Sequence, residues 1–352
     1  MKVAIDVSPL QSGHKIRGVG FYLSYLKEAL VTYYPENEYL FFEKETEIDN
    51  SFDIVHYPYF DPFFLTLPFI KRHKTVVTVH DLTPLVFSEH FPAGIKGRLR
   101  WQMQRFNLKR IDGILTDSEV SKQDIERIAG ISPRRIAVAY LAADKSFKQL
   151  NRNEPRLKII KKKYNLPNEF VLYVGDVTWN KNIPRLLQAI QKMGIPLFMA
   201  GKSLVSKDFD RTNKWNTDLI KVQKLAEQNN NIHLLGFVPT EDLVTLYNLA
   251  TVFVFPSVYE GFGLPIVEAM QSGCPVIISK EGCMPEVGGD AVEYFDGYQT
   301  ESLIKVLQKV LDSQKLQKEL SEKGLKQAKK FSWEKTAEKT IEAYKKVVLS
   351  KT

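Results

Sequence analysis

A chain of 352 residues, 44% hydrophobic and 26% charged, exceeds the size at which one core keeps growing and is too apolar for a disordered protein, so two folded domains are expected. The formal charge of +8 favours an anionic partner, but no zinc-finger spacing, basic zipper or aromatic-basic strand motif accompanies it, which argues against nucleic acid. Cys274 and Cys283 are too few for a disulfide framework and lack metal-ligand spacing, so both are expected as reduced thiols.

The opening stretch MKVAIDVSPL, broken by Asp6 and Pro9, reads as a strand and not as a secretory leader. Gly18 and Gly20 follow Arg17 and form a turn before a helix starting near Phe21. Strands are expected at 38–42, 53–57, 75–80, 113–116 and 136–140, with helices after several of them. The most apolar run, 57–70, contains Asp61 and three prolines and is too short to span a bilayer. The strand TVVTVH carries His80 and Asp81 to a sheet edge, where clefts form, although a lone histidine is more often structural. Between Phe91 and Arg110 every charged side chain is basic, interleaved with Trp101, Met103, Phe106 and Leu108. Such a stretch either lies on an anionic membrane or packs on its own domain with a solvated basic face.

A polar, basic stretch, 145–168, with three lysines at 161–163, marks the linker, giving domains 1–165 and 166–332. A second strand series follows at 170–174, 196–200, 231–235, 251–255, 275–278 and 292–295. Strands alternating with helices mean βαβ units and parallel sheets, so the fold class is α/β with two Rossmann-like domains. Thr240 is placed to cap a helix beginning at Glu241. After Phe331-Ser332-Trp333, a last helix over 334–349 carries Ala337, Ile341, Tyr344 and Val347 at helical spacing and needs a surface to cover.

The segment TVFVFPSVYEGFGLPIVEAMQSGCPVIIS, 251–279, is the most informative. It reads as strand, loop, helix and strand, with Pro265 suited to the first helical turn and Gly273 to a left-handed stop. Gly261 and Gly263 let backbone approach a ligand, and the helix start offers free N–H groups to a diphosphate. Glu260 and Glu268, with seven residues between them, would repel that phosphate unless they bind hydroxyls, so sugar and ribose hydroxyls are their natural partners. Taken singly, Glu268 complements a helix dipole and Glu260 is a loop acid. The combination EGFGLPIVE is far more specific.

These residues resemble the retaining glycosyltransferases of family 4, with the GT-B fold, in which Glu260 and Glu268 match the E-x7-E motif. The resemblance extends over GVGFY at 18–22, VHDLTPL at 79–85, TDSEVSKQDI at 116–125, YVGDVTWNKNIPRLLQAI at 173–190, LGFVPTEDLVTLYNLA at 235–250 and the closing FSWEKTAEKT. It implies two domains facing across a cleft, with the helix 333–352 packing back on the first. It places Gly175 and Lys181 beside the diphosphate, Asn180 where the family usually has Arg, and Gly236, Phe237 and Val238 at the nucleotide base. It also places Gly261, Phe262, Gly263 and Leu264 at the phosphates, Gly18 and Gly20 near phosphates and acceptor with Arg17 close by, and His80 at the donor sugar. Glu286, in MPEV, matches a recurrent family turn and reads as structural.

By the same resemblance the chemistry is hexosyl transfer, mannose first, from a nucleotide-diphosphate sugar to a glycan or lipid-linked saccharide, with retention and without a protein nucleophile. Glu260, His80 and Lys181 are the expected catalytic set. No metal and no cofactor is implied beyond the donor co-substrate, and no Asp-x-Asp motif stands at a strand end. The expected setting is cytoplasmic, at the inner face of the membrane if the 91–110 stretch binds lipid. A nucleotide-sugar 2-epimerase of the same fold, or a non-catalytic nucleotide-sugar-binding subunit, are the rival readings.

Overall fold

A computed structural model describes residues 1–11 and 18–350. Arg17 lies outside the described residues. The chain divides into two compact units, Met1–Ala142 with Phe331–Thr352, and Ala143–Lys330.

The first unit holds a six-stranded parallel sheet made of β1 (Lys2–Asp6), β2 (Glu38–Phe42), β3 (Ile54–Tyr57), β4 (Thr75–Thr78), β5 (Gly113–Thr116) and β6 (Ile136–Val138), in the order β2-β1-β3-β4-β5-β6. Every residue of β3, β4 and β5 is buried, as continuous apolar and β-branched runs require when helices cover both faces of a sheet. The chain's last helix, Trp333–Leu349, packs on β4, β5 and β6 and on the helix Gly18–Tyr33. Ser332 caps it, its hydroxyl accepting from the Lys335 amide at 3.2 Å. Its Tyr344 hydroxyl meets His56 Nδ1 at 2.7 Å inside the core, and His56 Nε2 meets Thr78 Oγ1 at 2.8 Å. Burial pushes the His56 pKa down to about 3, so the imidazole is neutral and bridges two hydroxyls.

The close seating of that helix depends on Gly113, where a Cβ would stand 2.6 Å from Val347 Cγ2. Gly113→Ala is therefore expected to destabilise the protein by about 1–3 kcal/mol through overpacking, read as a lower urea midpoint at unchanged slope. An unchanged midpoint would show that the helix is free to shift.

The second unit repeats the architecture with β7 (Val171–Val174), β8 (Leu197–Ala200), β9 (Ile232–Gly236), β10 (Val252–Phe255), β11 (Val276–Ser279) and β12 (Glu293–Phe295), in the order β12-β11-β10-β7-β8-β9, all parallel. Its core gathers Val171, Tyr173, Leu186, Ile190, Met199 and Val254 between the sheet and its helices.

Residues 143–165, read from sequence as the end of the first domain and a linker, group with the second unit. The basic stretch is a helix, Pro155–Lys163, held against the helix Thr240–Leu249. Lys163 pairs with Asp242 at 2.5 Å, Tyr164 donates to the same carboxylate at 2.7 Å, and the Leu150 amide donates to Asn248 Oδ1 at 2.7 Å. Two boundaries also differ from the sequence reading. Gly18 and Gly20 lie within the first turn of their helix and not in a turn ahead of it. Thr240 is the first helical residue and caps nothing, because Pro239, whose fixed φ of −58° stands at the cap position, starts the helix one residue earlier.

Candidate active site

In the second sheet the chain runs outward from β7 to β9 on one side and from β10 to β12 on the other. The connections after β7 and β10 leave in opposite directions, which opens a crevice at the carboxyl ends of those two strands. Lys181 lies on the loop after β7 and Glu260 on the loop after β10.

The two loops are stitched together by asparagines. Asn182 sits at φ +54°, a left-handed conformation that Asn tolerates, and its amide donates to the Pro256 carbonyl at 3.1 Å and the Gly297 carbonyl at 2.8 Å. Asn180 is buried; its amide donates to the Tyr259 carbonyl at 2.8 Å and its side-chain oxygen accepts from the Thr178 hydroxyl at 2.7 Å. Its backbone carbonyl takes the Val258 amide at 2.8 Å. Where an arginine would reach outward with charge, this chain has a short clamp that fixes the backbone one residue before Glu260.

Lys181 Nζ lies 2.6 and 2.7 Å from the two oxygens of Glu260, with only 21% and 12% of the two side chains exposed. The ammonium also stands 5.5 Å from the centre of the Phe255 ring. The pair is cross-loop and largely desolvated, so its worth is positional: each charge holds the other in a fixed place.

The turn after Glu260 is braced from below. Cys283 Sγ lies 3.1 Å from the Glu260 carbonyl and 3.3 Å from that of Phe262. Gly263 adopts φ +100°, and a Cβ there would reach to 3.0 Å from Ile266 Cδ1, so only glycine turns this corner without strain. The helix Leu264–Gln271 follows, with Pro265 in its first turn and Gly273 past its end at φ +74°. The Ile266 amide is taken by the Gly263 carbonyl at 2.9 Å, while the Leu264 amide has no acceptor within the helix.

Glu268, on that helix, accepts from the Tyr247 hydroxyl at 3.0 Å. Burial pushes its pKa up to about 7; the Tyr247 hydrogen bond pulls it down and the Asp144 charge adds to the rise. The sequence reading missed Tyr247, although it lies in the quoted stretch LGFVPTEDLVTLYNLA. Gly175 opens the loop after β7 and donates to the Ala200 carbonyl. Gly236 ends the edge strand β9 at φ +69°, with Phe237 64% exposed and Val238 buried. The second unit thus carries Asn180, Lys181, Glu260 and Gly263 on two neighbouring loops, and Leu264 and Glu268 on the helix that continues the second of them.

His80, Gly18 and Gly20 belong to the first unit. His80 lies two residues beyond β4, its Nδ1 2.6 Å from Asp117 Oδ2, with the Tyr22 ring edge-on at 4.7 Å. Burial alone would lower the His80 pKa, but the Asp117 carboxylate, by charge and hydrogen bond, outweighs it and the net shift is upward. Asp81 accepts from the amide of Thr83, the first residue of the neighbouring short helix, at 2.8 Å. Asp117→Asn, which keeps the shape and removes the charge, is expected to move the His80 titration to lower pH in an NMR-monitored series. An unmoved titration would mean that another group sets it. Asp117 was not singled out from sequence, since 37 positions separate it from its partner.

Among the described residues no group of three or more His, Cys, Asp or Glu could hold a metal ion, and no helix is long and apolar enough to cross a membrane.

With this geometry in hand, the comparisons with known proteins agree on a class. Residues 156–327 match the family model described as glycosyl transferases group 1, and residues 15–147 that of glycosyltransferase family 4. The O-antigen chain mannosyltransferase B of Escherichia coli is 34% identical over 304 residues, which cover 83% of this chain and 75% of that protein. The serotype-specific mannosyltransferase WbdA of Escherichia coli is 30% identical over 281 residues, 79% of this chain but 34% of the longer relative. The MMP α-(1→4)-mannosyltransferase of Mycolicibacterium hassiacum is 29% identical over 257 residues, 71% of this chain and 58% of that one. In fold, the chain is similar to sucrose-phosphate synthase from Thermosynechococcus elongatus, with a TM-score of 0.75 at 17% identity over 98% of both chains. It is also similar to Anabaena HepE in complex with UDP-glucose, with a TM-score of 0.73 at 17% identity over 98% of this chain and 100% of that one. The chain belongs to the family 4, group 1 glycosyltransferases, and its two Rossmann-like units are those of the GT-B fold.

Proposed function

We propose that this protein transfers a mannosyl residue from a nucleotide-diphosphate donor to a saccharide acceptor, with retention of anomeric configuration, in the assembly of a polysaccharide. The observation that carries the reading is the Lys181–Glu260 pair, held at the crevice between β7 and β10 beside the glycine turn that opens the helix Leu264–Gln271. Support for mannose and for a glycan acceptor comes from the relatives, one named an O-antigen chain mannosyltransferase and the other a serotype-specific mannosyltransferase. Support for the donor class comes from HepE, whose structure holds UDP-glucose.

In this reading the Leu264 amide and Lys181 face the diphosphate, and Glu268 takes ribose hydroxyls. Glu260 takes the sugar, and His80 is assigned to the same sugar by the family resemblance. The bond from the anomeric carbon to the β-phosphate oxygen breaks as the acceptor oxygen attacks the same face. The acceptor proton passes to the departing phosphate oxygen. Positioning and charge stabilisation supply the acceleration, and no protein nucleophile, metal or cofactor enters the scheme.

The test combines the protein with GDP-mannose, UDP-glucose, ADP-glucose or dTDP-glucose, with and without a mannose-terminated oligosaccharide. GDP-mannose is expected to raise the melting temperature and to yield nucleotide and an α-linked product only with acceptor present. Conversion of donor without acceptor would instead mean an isomerase, and binding without nucleotide release a non-catalytic subunit.

A further inference from the structure

The loop after β10 gives its carbonyls to side chains of its neighbours. From the loop after β7, the Asn182 amide takes the Pro256 carbonyl and the Asn180 amide that of Tyr259. From the other side, the Ser279 hydroxyl at the end of β11 takes the Ser257 carbonyl. The Cys283 thiol reaches the Glu260 carbonyl at 3.1 Å and the Phe262 carbonyl at 3.3 Å. Amides and hydroxyls are common clamps, whereas a thiol is a weak donor that behaves mostly as a small hydrophobe. Here it serves the two carbonyls on either side of Gly261.

The chain brings Cys283 there by a close approach. Gly282 stands at φ +56°, and a Cβ on it would lie 3.4 Å from the Tyr259 Cα, so the two loops touch. The Cys283 carbonyl accepts from the Glu286 and Val287 amides at 3.0 and 3.4 Å, opening the short helix Met284–Gly288. Its main chain is therefore anchored by that helix start, and its side chain, fully buried, is directed at the turn. Cys274 is buried as well, but its Sγ is 3.9 Å from the Ala250 carbonyl, at the outer edge of hydrogen-bond reach for sulfur.

A trans peptide unit points its N–H opposite to its C=O. Holding the Glu260 and Phe262 carbonyls on Cys283 turns the Gly261 and Gly263 amides away from it. The strand order puts β11 and β7 on opposite sides of β10, so the direction away from Cys283 is the side of the Lys181 loop. We infer that Cys283 is a positioning residue for sugar transfer. Its thiol touches no substrate; it sets the peptide planes before Gly261 and Gly263, so that their amides and the Glu260 side chain meet the donor together with Lys181. This role rests on the reading of the turn as the diphosphate site. An anion at the Gly261 amide polarises the peptide unit it shares with the Glu260 carbonyl and makes that carbonyl a better acceptor, so donor and thiol reinforce each other across one peptide bond.

Two substitutions separate the hydrogen bond from the bulk. Cys283→Val fills the space without a donor, and Cys283→Ser keeps a donor. The valine variant is expected to lower kcat by about tenfold with donor KM within about twofold, because a turn displaced by a fraction of an ångström still binds the donor but no longer matches the charge that develops on it. The serine variant is expected to stay within about threefold of the native kcat. Native turnover in the valine variant, or equal losses in both, overturns the inference. A second measurement needs neither turnover nor a folded valine variant: Raman spectroscopy of the S–H stretch in the native protein. The Cys283 band, assigned by its loss in Cys283→Ser, is expected below that of Cys274. It is expected to fall further on addition of whichever of GDP-mannose, UDP-glucose, ADP-glucose and dTDP-glucose raises the melting temperature most, with the Cys274 band unmoved. A Cys283 band at or above that of Cys274, or one that bound donor leaves in place, overturns the inference. A protein that binds donor without transferring sugar contradicts the proposed function instead, and the band then decides the role of Cys283 by itself.

Discussion

Lys181→Ala is expected to lower kcat by about 10²- to 10³-fold while changing donor affinity little. The ammonium already has a partner, the Glu260 carboxylate at 2.6 and 2.7 Å. A donor diphosphate must compete with that carboxylate, so the net gain on binding is small. As the glycosidic bond breaks, charge accumulates on the departing phosphate and the balance tips toward it. An interaction stronger in the transition state than in the ground state appears in turnover, not in KM. The same substitution strips Glu260 of its counter-charge where only 12% of its side chain meets solvent, a loss of about 1–3 kcal/mol of stability. Lys181→Ala combined with Glu260→Ala should recover that stability without recovering turnover. If the double variant is no more stable than Lys181→Ala alone, the pair is not coupled as the geometry indicates. Steady-state kinetics and urea unfolding on the two variants decide both points.

Donor binding is expected to strengthen roughly tenfold between pH 6 and pH 8, because the Glu268 carboxyl titrates at about 7 and ribose hydroxyls are best accepted by its ionised form. Glu268→Gln is expected to abolish that dependence and to weaken binding at pH 8 by about 10- to 100-fold, as measured by calorimetry. The stability profile runs the opposite way. Glu268 holds its proton in the folded state up to about 7, whereas the unfolded chain releases it near the ordinary 4.5. Its contribution is fully present below 4.5 and is lost as pH rises through 7, a decline of about 3 kcal/mol. Glu268→Gln, which cannot ionise, should remove this component and be the more stable protein at pH 8. A site that binds donor more weakly while folding more strongly is the signature of an acid kept buried for recognition. A pH-independent affinity in the native protein would contradict it.

Much of the architecture was legible because parallel strands buried on both faces must be continuous apolar runs. VVT at 76–78 and VFVF at 252–255 are such runs, the second stopped by Pro256. The turn at 260–265 was legible for a related reason: Gly263 at φ +100° and Pro265 in the first helical turn are backbone requirements, and backbone requirements are written in residue type. Side-chain partnerships are not. Tyr247 under Glu268, Asp117 beside His80 and Tyr344 on His56 are 21, 37 and 288 positions apart, and nothing local distinguishes them from other tyrosines and aspartates. Asn180 read as a missing charge, whereas in the fold it is a clamp on the Tyr259 carbonyl. The helix Gly94–Arg110 shows the limit of periodicity. Spacing marks a stripe but not the direction it faces, and here Leu108 turned inward while Met103 and Phe106 turned out.

That Trp333–Leu349 completes the sheet of the opening segment has a consequence for biosynthesis. A ribosome delivers β1 to β6 ahead of the second unit, yet Gly113 waits for Val347 and His56 for Tyr344 until that unit has been made. Of the two units, the one begun earlier is thus completed later, while the intervening one has its whole core in hand before it. Termination near position 332 would leave a finished second unit tethered to an unsealed first one, with the greasy floor of β4 and β5 open to chaperones.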